Sequence, residues 1–207
     1  AFGIDAAAVI GRTDTEVFGA EQAAAFTGND RRVLETGAPI TFEERARYVD
    51  GPHVSLVTKF PLRDMHGKVY ALGGIATDIT GREAAERQFR MTFEQATVGI
   101  THTSLDDRYL LANRRFCEML GYSREEILGM TTRDIAHPDD KDQDLQQREQ
   151  LLAGKIGSFS GEKRYRRKDG RLVWVNRTVS LARDEDGSPL YLIRVIEDIT
   201  RRKEEEE

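Results

Sequence analysis

The stretch Leu172-Val173-Trp174-Val175-Asn176-Arg177-Thr178-Val179-Ser180-Leu181, followed beyond a turn at Asp184 to Gly187 by Leu190-Tyr191-Leu192-Ile193-Arg194-Val195-Ile196, reads as two adjacent antiparallel strands. Val173, Val175, Val179 and Leu181 share one face of the first, with Leu172, Trp174, Asn176, Thr178 and Ser180 on the other. The second is apolar on both faces, which predicts a sheet covered on both sides, by its own helices and by a flanking or partner helix. Upstream, Phe159 to Arg167 leads through Asp169-Gly170 and makes a third strand. Val98 to Thr103 and Tyr109 to Ala112 are two more, joined by a hairpin turn at Asp106-Asp107.

Helix signals fill the interval. Asn113 caps a helix carrying Phe116, Met119 and Leu120 at helical spacing, and Gly121 ends it. Ser123 with Glu126 forms a capping box for a short helix through Ile127 and Leu128 to Gly129. His137-Pro138-Asp139-Asp140 is expected to open a longer helix through Leu145, Leu151 and Leu152 to Gly154. The order strand, strand, helices, strand, strand, strand is α+β.

The chain then proves to say this twice. Phe2-Gly3-Ile4-Asp5 with Val9-Ile10-Gly11-Arg12-Thr13 returns as Leu120-Gly121-Tyr122-Ser123 with Ile127-Leu128-Gly129-Met130-Thr131, both glycines shifted by 118 positions (121 − 3, 129 − 11). Arg63-Asp64 with Gly67 returns as Arg183-Asp184 with Gly187, and Asp78-Ile79-Thr80 as Asp198-Ile199-Thr200, now 120 apart (198 − 78). Solenoid repeats run about 20 to 50 residues, so this period describes a duplicated domain. About 30 residues of the second copy, before Leu120, have no counterpart ahead of Phe2, so the first copy is expected to be N-terminally incomplete. The expected division is residues 1–81, first copy; 82–95, a linker helix striped by Ala85, Phe89, Thr92 and Phe93; 96–200, complete second copy; and 201–207, the start of a further helical linker.

Composition narrows the class. Hydrophobic content of 39% with 32% charge over 207 residues describes a globular chain with modest cores. A net charge of -5 argues against a nucleic-acid surface, and the basic run Lys163 to Lys168 leads into a turn, its arginines expected on the solvated face of a strand. One cysteine excludes an internal disulfide and a multi-cysteine zinc site and suits a reducing, cytoplasmic compartment. No apolar run approaches the roughly 18 residues of a membrane span. There is no Walker loop, dinucleotide fingerprint, nucleophile elbow or His-Glu-x-x-His motif, so no enzyme is read here.

Four short motifs in order, Asn113-Arg114-Arg115-Phe116-Cys117 with Leu120-Gly121-Tyr122, Ile135-Ala136-His137-Pro138-Asp139-Asp140, Lys168-Asp169-Gly170 with Trp174-Val175, and Glu197-Asp198-Ile199-Thr200, resemble the PAS sensor domain with its C-terminal motif. Phe60-Pro61-Leu62-Arg63-Asp64, Gly67 and Gly74 to Thr80 extend the resemblance to the first copy. It implies a five-stranded antiparallel sheet with short helices on one face, duplicated, whose first strand lies beside the last. Without that strand, Leu72 to Ala76 would be a bare edge.

The resemblance further implies a sensory segment that binds a small ligand or partner, dimerises through its linker helices and signals to an output domain. That domain would be a histidine kinase of a two-component system or, alternatively, a diguanylate cyclase or phosphodiesterase; a ligand-free dimerisation and relay module is the competing class. Candidate pocket residues are His102, Asn113, Trp174, Asn176 and Thr178 in the second copy and Val57, Lys59 and Tyr70 in the first. Asp78, Thr80, Asp198 and Thr200 would relay the signal, with Asp198 pairing with Arg183 or Arg201. Haem-binding members carry a histidine on the long helix, and Asp142 to Gly154 has none. Covalent flavin members carry an Asn-Cys-Arg motif on a middle helix, whereas Cys117 lies on the first helix and reads as a small buried residue. Non-covalent flavin and a small organic acid stay open. His137 reads as part of a helix-entry turn.

Overall fold

The computed structural model describes residues 6–48 and 51–206, so the Phe2 to Asp5 end of the repeat lies outside the described residues. Two compact units divide between Gln88 and Phe89. The first runs α1 (Ala6–Val9), α2 (Asp14–Phe18), α3 (Ala20–Thr36), β1 (Ile40–Tyr48), β2 (Gly51–Arg63) and β3 (Val69–Asp78). Its sheet has the order β1-β2-β3, with β3 at the edge among the described residues. Ala23, Phe26 and Val33 of α3 are buried along with Phe42 and Ala46 of β1 and Val57 of β2.

α4 (Thr80–Gln95) leads to the second unit: β4 (Gly99–Thr103), β5 (Tyr109–Ala112), α5 (Arg114–Leu120), α6 (Arg124–Leu128), α7 (Thr132–Ile135), a 3₁₀ turn (Pro138–Asp140), α8 (Leu145–Leu152), β6 (Ser158–Arg166), β7 (Leu172–Arg183), β8 (Pro189–Asp198) and α9 (Thr200–Glu206). The sheet order is β5-β4-β8-β7-β6, all antiparallel, with the first strand beside the last as the resemblance implies. Tyr109, Phe116, Leu120, Ile127, Ile135, Tyr165, Val175 and Ile196 form the main core between sheet and helices. Each large side chain buried there contributes about 1.5–3 kcal/mol.

The repeat is a repeat of structure. In both units an Arg-Asp pair closes the last hairpin: Arg63 Nη1 donates to Gly67 O and Arg183 Nη1 to Gly187 O, each at 2.9 Å. Thr13 caps α2 through Glu16 as Thr131, 118 positions on, caps α7 through Asp134.

The expected long helix from Pro138 does not form as one piece. Pro138 starts a 3₁₀ turn and α8 begins only at Leu145, because tertiary ion pairs claim the intervening carboxylates. Asp140 receives Arg164 Nε at 3.0 Å and Nη2 at 2.7 Å, and Asp144 receives Lys163 at 2.8 Å. In the first unit α3 is unbroken over 17 residues.

Gly99 shows how tightly the second core closes. A Cβ there would stand 3.1 Å from Phe116 Cδ2 and 3.3 Å from the Ile196 carbonyl. Gly99→Ala is expected to cost about 1–3 kcal/mol by overpacking, read from urea unfolding. A loss below about 0.5 kcal/mol would mean that the Phe116 ring moves aside freely.

Candidate functional site

Three neighbouring strands of the second unit carry cations on the face turned to the helices. Period two puts Arg177 in line with Val173, Val175 and Val179 on β7, Arg194 with Leu192 and Ile196 on β8, and Lys163 with Tyr165 on β6. Lys163, Arg177 and Arg194 are 4%, 5% and 3% exposed. Asp144, at the start of α8, pairs with Lys163 at 2.8 Å and with Arg177. Asp107, in the β4–β5 turn at φ 70°, pairs with Arg194 at 2.8 Å and with Arg148 at 3.4 Å. Burial works against the Asp144 charge, yet Arg177 and Lys163 hold its carboxyl below the ordinary range. Burial and then the neighbouring Arg177 push Lys163 down, against the pull of Asp144. These groups line a cavity of about 50 Å³ with Phe159, Val179 and Leu192.

The first unit has a cavity of about 300 Å³ between α3 and the sheet, and Val57 and Lys59 line it. Lys59 meets Asp30 at 2.7 Å and Glu44 at 2.9 Å, so its charge balance is opposite to that of the second cavity. Glu44 faces Ser55 where Lys163 faces Val175, and Ser55 and Val175 are 120 positions apart. Tyr70 stands apart, 68% exposed on β3.

The other candidate residues lie elsewhere. Trp174, Asn176 and Thr178 alternate with the buried residues of β7 and occupy the sheet's opposite face. Lys203 of α9 lies 5.6 Å over the Trp174 ring, and Thr178 bonds Ser160 across the strands at 2.8 Å. His102 shares that face, stacked on Tyr191 at 4.7 Å and edge-on to Phe93 at 6.0 Å, and burial lowers its pKa. Asn113 is fully buried with all its bonding committed to backbone: it accepts from Ile100 N and Phe116 N and donates to the Phe93 and Val98 carbonyls, at 2.9–3.0 Å. Asn113 therefore ties the end of α4 to β4 and α5. Cys117 is buried, which pushes its thiol up and leaves it unreactive.

The relay candidates form one device, built twice. Thr80 N donates to Asp78 Oδ1 at 2.8 Å while Thr80 Oγ1 accepts from Val54 N at 2.9 Å, stitching the start of α4 to β2. Thr200 N donates to Asp198 Oδ1 at 3.0 Å while Thr200 Oγ1 accepts from Trp174 N at 3.0 Å, stitching α9 to β7. Asp78 also meets His53 at 2.7 Å, and the Thr80 hydrogen bonds, then His53, bring its pKa to about 2. The expected pairing of Asp198 with Arg183 or Arg201 is not what forms. Arg183 is taken by the Gly187, Leu151 and Leu152 carbonyls and Arg201 by Glu205, while Glu162 anchors α9 through Arg202 and Lys203.

Sequence reasoning passed over Lys163, Arg177 and Arg194. The signal was present: position 177 falls inside the apolar series 173, 175, 179, and position 194 between Leu192 and Ile196. A charge at a core period is itself an anomaly to explain. Among the described residues no helix is long and apolar enough to cross a membrane, and no cluster of His, Cys, Asp and Glu is placed to hold a metal.

Comparison with known proteins agrees with this architecture. Two family models for the PAS fold match in tandem, over residues 1–84 and 109–196. "Probable diguanylate cyclase DgcE" of Escherichia coli is 41% identical over 123 residues, 59% of this chain and 11% of that protein. "Sensor histidine kinase TmoS" of Ectopseudomonas mendocina is 28% identical over 124 residues, 60% of this chain and 13% of that protein. "C4-dicarboxylate transport sensor protein DctS" of Rhodobacter capsulatus is 30% identical over 125 residues, 59% of this chain and 19% of that protein. The chain thus spans between about a tenth and a fifth of these relatives. Among solved structures, a PAS domain of an HTR-like protein from Haloarcula marismortui aligns with TM-score 0.50 and 22% identity over 57% of this chain and 95% of that one. With both halves matched to the same fold, the chain belongs to the PAS family and carries two sensory PAS domains in tandem.

Proposed function

We propose that these tandem domains are the input segment of a longer cytoplasmic signalling protein, that they sense a small ligand, dimerise through their linker helices and bias an output domain beyond α9. The observation that carries this reading is the repeated Asp-Ile-Thr junction: in each domain the outgoing helix starts from hydrogen bonds to the sheet, so a shift of the sheet is passed to the helix. Phe89 and Met91, 51% and 52% exposed on α4, support pairing of that helix with a second copy. The output is a histidine kinase or a diguanylate cyclase, and the 41% identity to the Escherichia coli protein favours the cyclase.

Asp198→Ala tests the junction. Its carboxylate bonds the exposed Thr200 N–H, so the fold should survive with a Tm change under about 3 °C, while the stimulus-dependent change in output of the full-length parent falls at least about fivefold. A variant whose output still responds normally, whether read as autophosphorylation or as cyclic dinucleotide synthesis, would overturn the reading.

A further inference from the structure

The two PAS domains fill the space between helices and sheet differently. The shift of 120 positions sets Val57, Gly74 and Ala76 of the first against Arg177, Arg194 and Ile196 of the second (177 − 57, 194 − 74, 196 − 76). Ala46, which faces His53, stands where Tyr165 faces Val173. In the second domain those four large side chains are buried, 1–5% exposed, and the cavity left beside them is about 50 Å³. In the first domain each gives way to a smaller one, and about 300 Å³ stays open. The wall of the larger cavity also turns polar, because Ser55 and Lys59 stand where the second domain has Val175 and Val179. Enlarging a cavity while placing polar groups in its wall suits a ligand better than a core.

The charges of that wall have one sign in excess. Three acids line it, Asp14, Asp30 and Glu44, with one base, Lys59, so two negative charges remain (3 − 1). Lys59 is shared between Asp30 at 2.7 Å and Glu44 at 2.9 Å; burial works against its charge, but these carboxylates raise its pKa and it stays an ammonium. Ser55 is an observation independent of charge. It is 6% exposed and lines the cavity, and its hydroxyl has no hydrogen-bond partner among the described residues, although buried polar groups normally have one. Phe18 and Phe26, edge to face at 5.2 Å, supply an aromatic wall beside the acids. The Lys59 ammonium already lies 5.5 Å over the Phe26 ring, a contact that a second cation can share. The volume holds about ten water-sized groups, which suits a small molecule with one ring.

We infer that the first domain is the one that receives the ligand, and that its cavity binds a small arylalkylamine, the ammonium among the acids and Ser55 and the ring against Phe18 and Phe26. The inference rests on the sensory reading of these domains and names the sensing domain and its ligand class. A carboxylate in the same place would meet the excess negative charge.

Calorimetric titration and thermal melts of the 207-residue chain with phenethylamine, neutral phenethyl alcohol and anionic phenylacetate test it. Phenethylamine is expected to bind once per chain and to raise Tm by at least about 5 °C at a hundredfold excess over Kd, with the alcohol and the acid at least about tenfold weaker. Glu44→Gln leaves Lys59 its Asp30 and should weaken the amine at least about tenfold. Gly74→Leu acts on space instead of charge: a Cβ there would meet Val57 at 3.9 Å and Lys59 at 4.0 Å, ordinary contacts, so the variant should fold and lose the amine. Either variant that folds suffices. The site is overturned if folded wild-type protein does not bind phenethylamine, if the alcohol or the acid binds as well, or if the folded variants bind unchanged. Amine binding that leaves the parent's output unmoved would keep the site and overturn the sensory reading. Absence of binding while Asp198→Ala still uncouples output would do the reverse.

Discussion

Asn113→Ala is expected to destabilise the second PAS domain by about 3–5 kcal/mol, enough to lower its melting temperature by about 10–15 °C. The side chain makes four hydrogen bonds and every partner is backbone. Loss of the N-cap of α5 accounts for about 1 kcal/mol. The larger part comes from the orphaned groups: the Ile100 N–H and the Phe93 and Val98 carbonyls lose their side-chain partner behind a residue that is 0% exposed, at about 1–3 kcal/mol for each that stays unsatisfied. Phe93 lies in the last turn of α4, so the same change should loosen that helix end and speed amide exchange there. Urea unfolding of the variant with a loss below about 1 kcal/mol would refute this account of Asn113 as the clasp of three elements.

Asp144→Ala leaves Lys163 and Arg177 facing each other inside the domain with no shared counter-charge, and about 3–5 kcal/mol of stability should be lost at pH 7. The loss should depend on pH in a defined direction. Burial already holds the folded-state pKa of Lys163 below 10.5, and removing Asp144 takes away the charge that pulls it up. A base with a depressed folded pKa destabilises the fold below that pKa, and the cost is relieved as pH rises from the folded pKa towards the unfolded one. The variant should therefore recover part of its stability in alkaline buffer, while Arg177 stays charged throughout. Unfolding free energies of wild type and variant that run parallel from pH 7 to about pH 10 would sink this explanation.

Much of the architecture was legible because its signals are local. The Asn113 cap, the Ser123 and Glu126 capping box, and the Asp184 to Gly187 turn each act within a few residues, and each stands where it was read. The Asp-Ile-Thr junction was equally legible, since it occurs twice and does the same thing twice. The site was less so. Period-two alternation divides β7 into two faces, but both faces of this sheet carry apolar residues, and alternation alone does not say which one the helices cover. The pocket candidates Trp174, Asn176 and Thr178 lie on the face away from the charged cavity. His102, another pocket candidate, lies on that same face, where β4 turns it towards Tyr191.

By itself the sequence determined the duplication, the order of strands and helices, the strand faces, the caps and the two helix junctions, because these depend on neighbours within a turn or on alternation along a strand. Only the tertiary structure decided which face became the interior, that the helix expected from Pro138 breaks before Leu145, and that Lys163, Arg177 and Arg194 meet around one cavity. Those outcomes join residues far apart in the chain: Asp144 with Arg177, Asp140 with Arg164, and Asp107 with Arg194. Ion pairs of this kind outweigh the helix propensity of a few residues, and although the strand period marks Arg177 and Arg194 as charges at core positions, no local pattern names their partners.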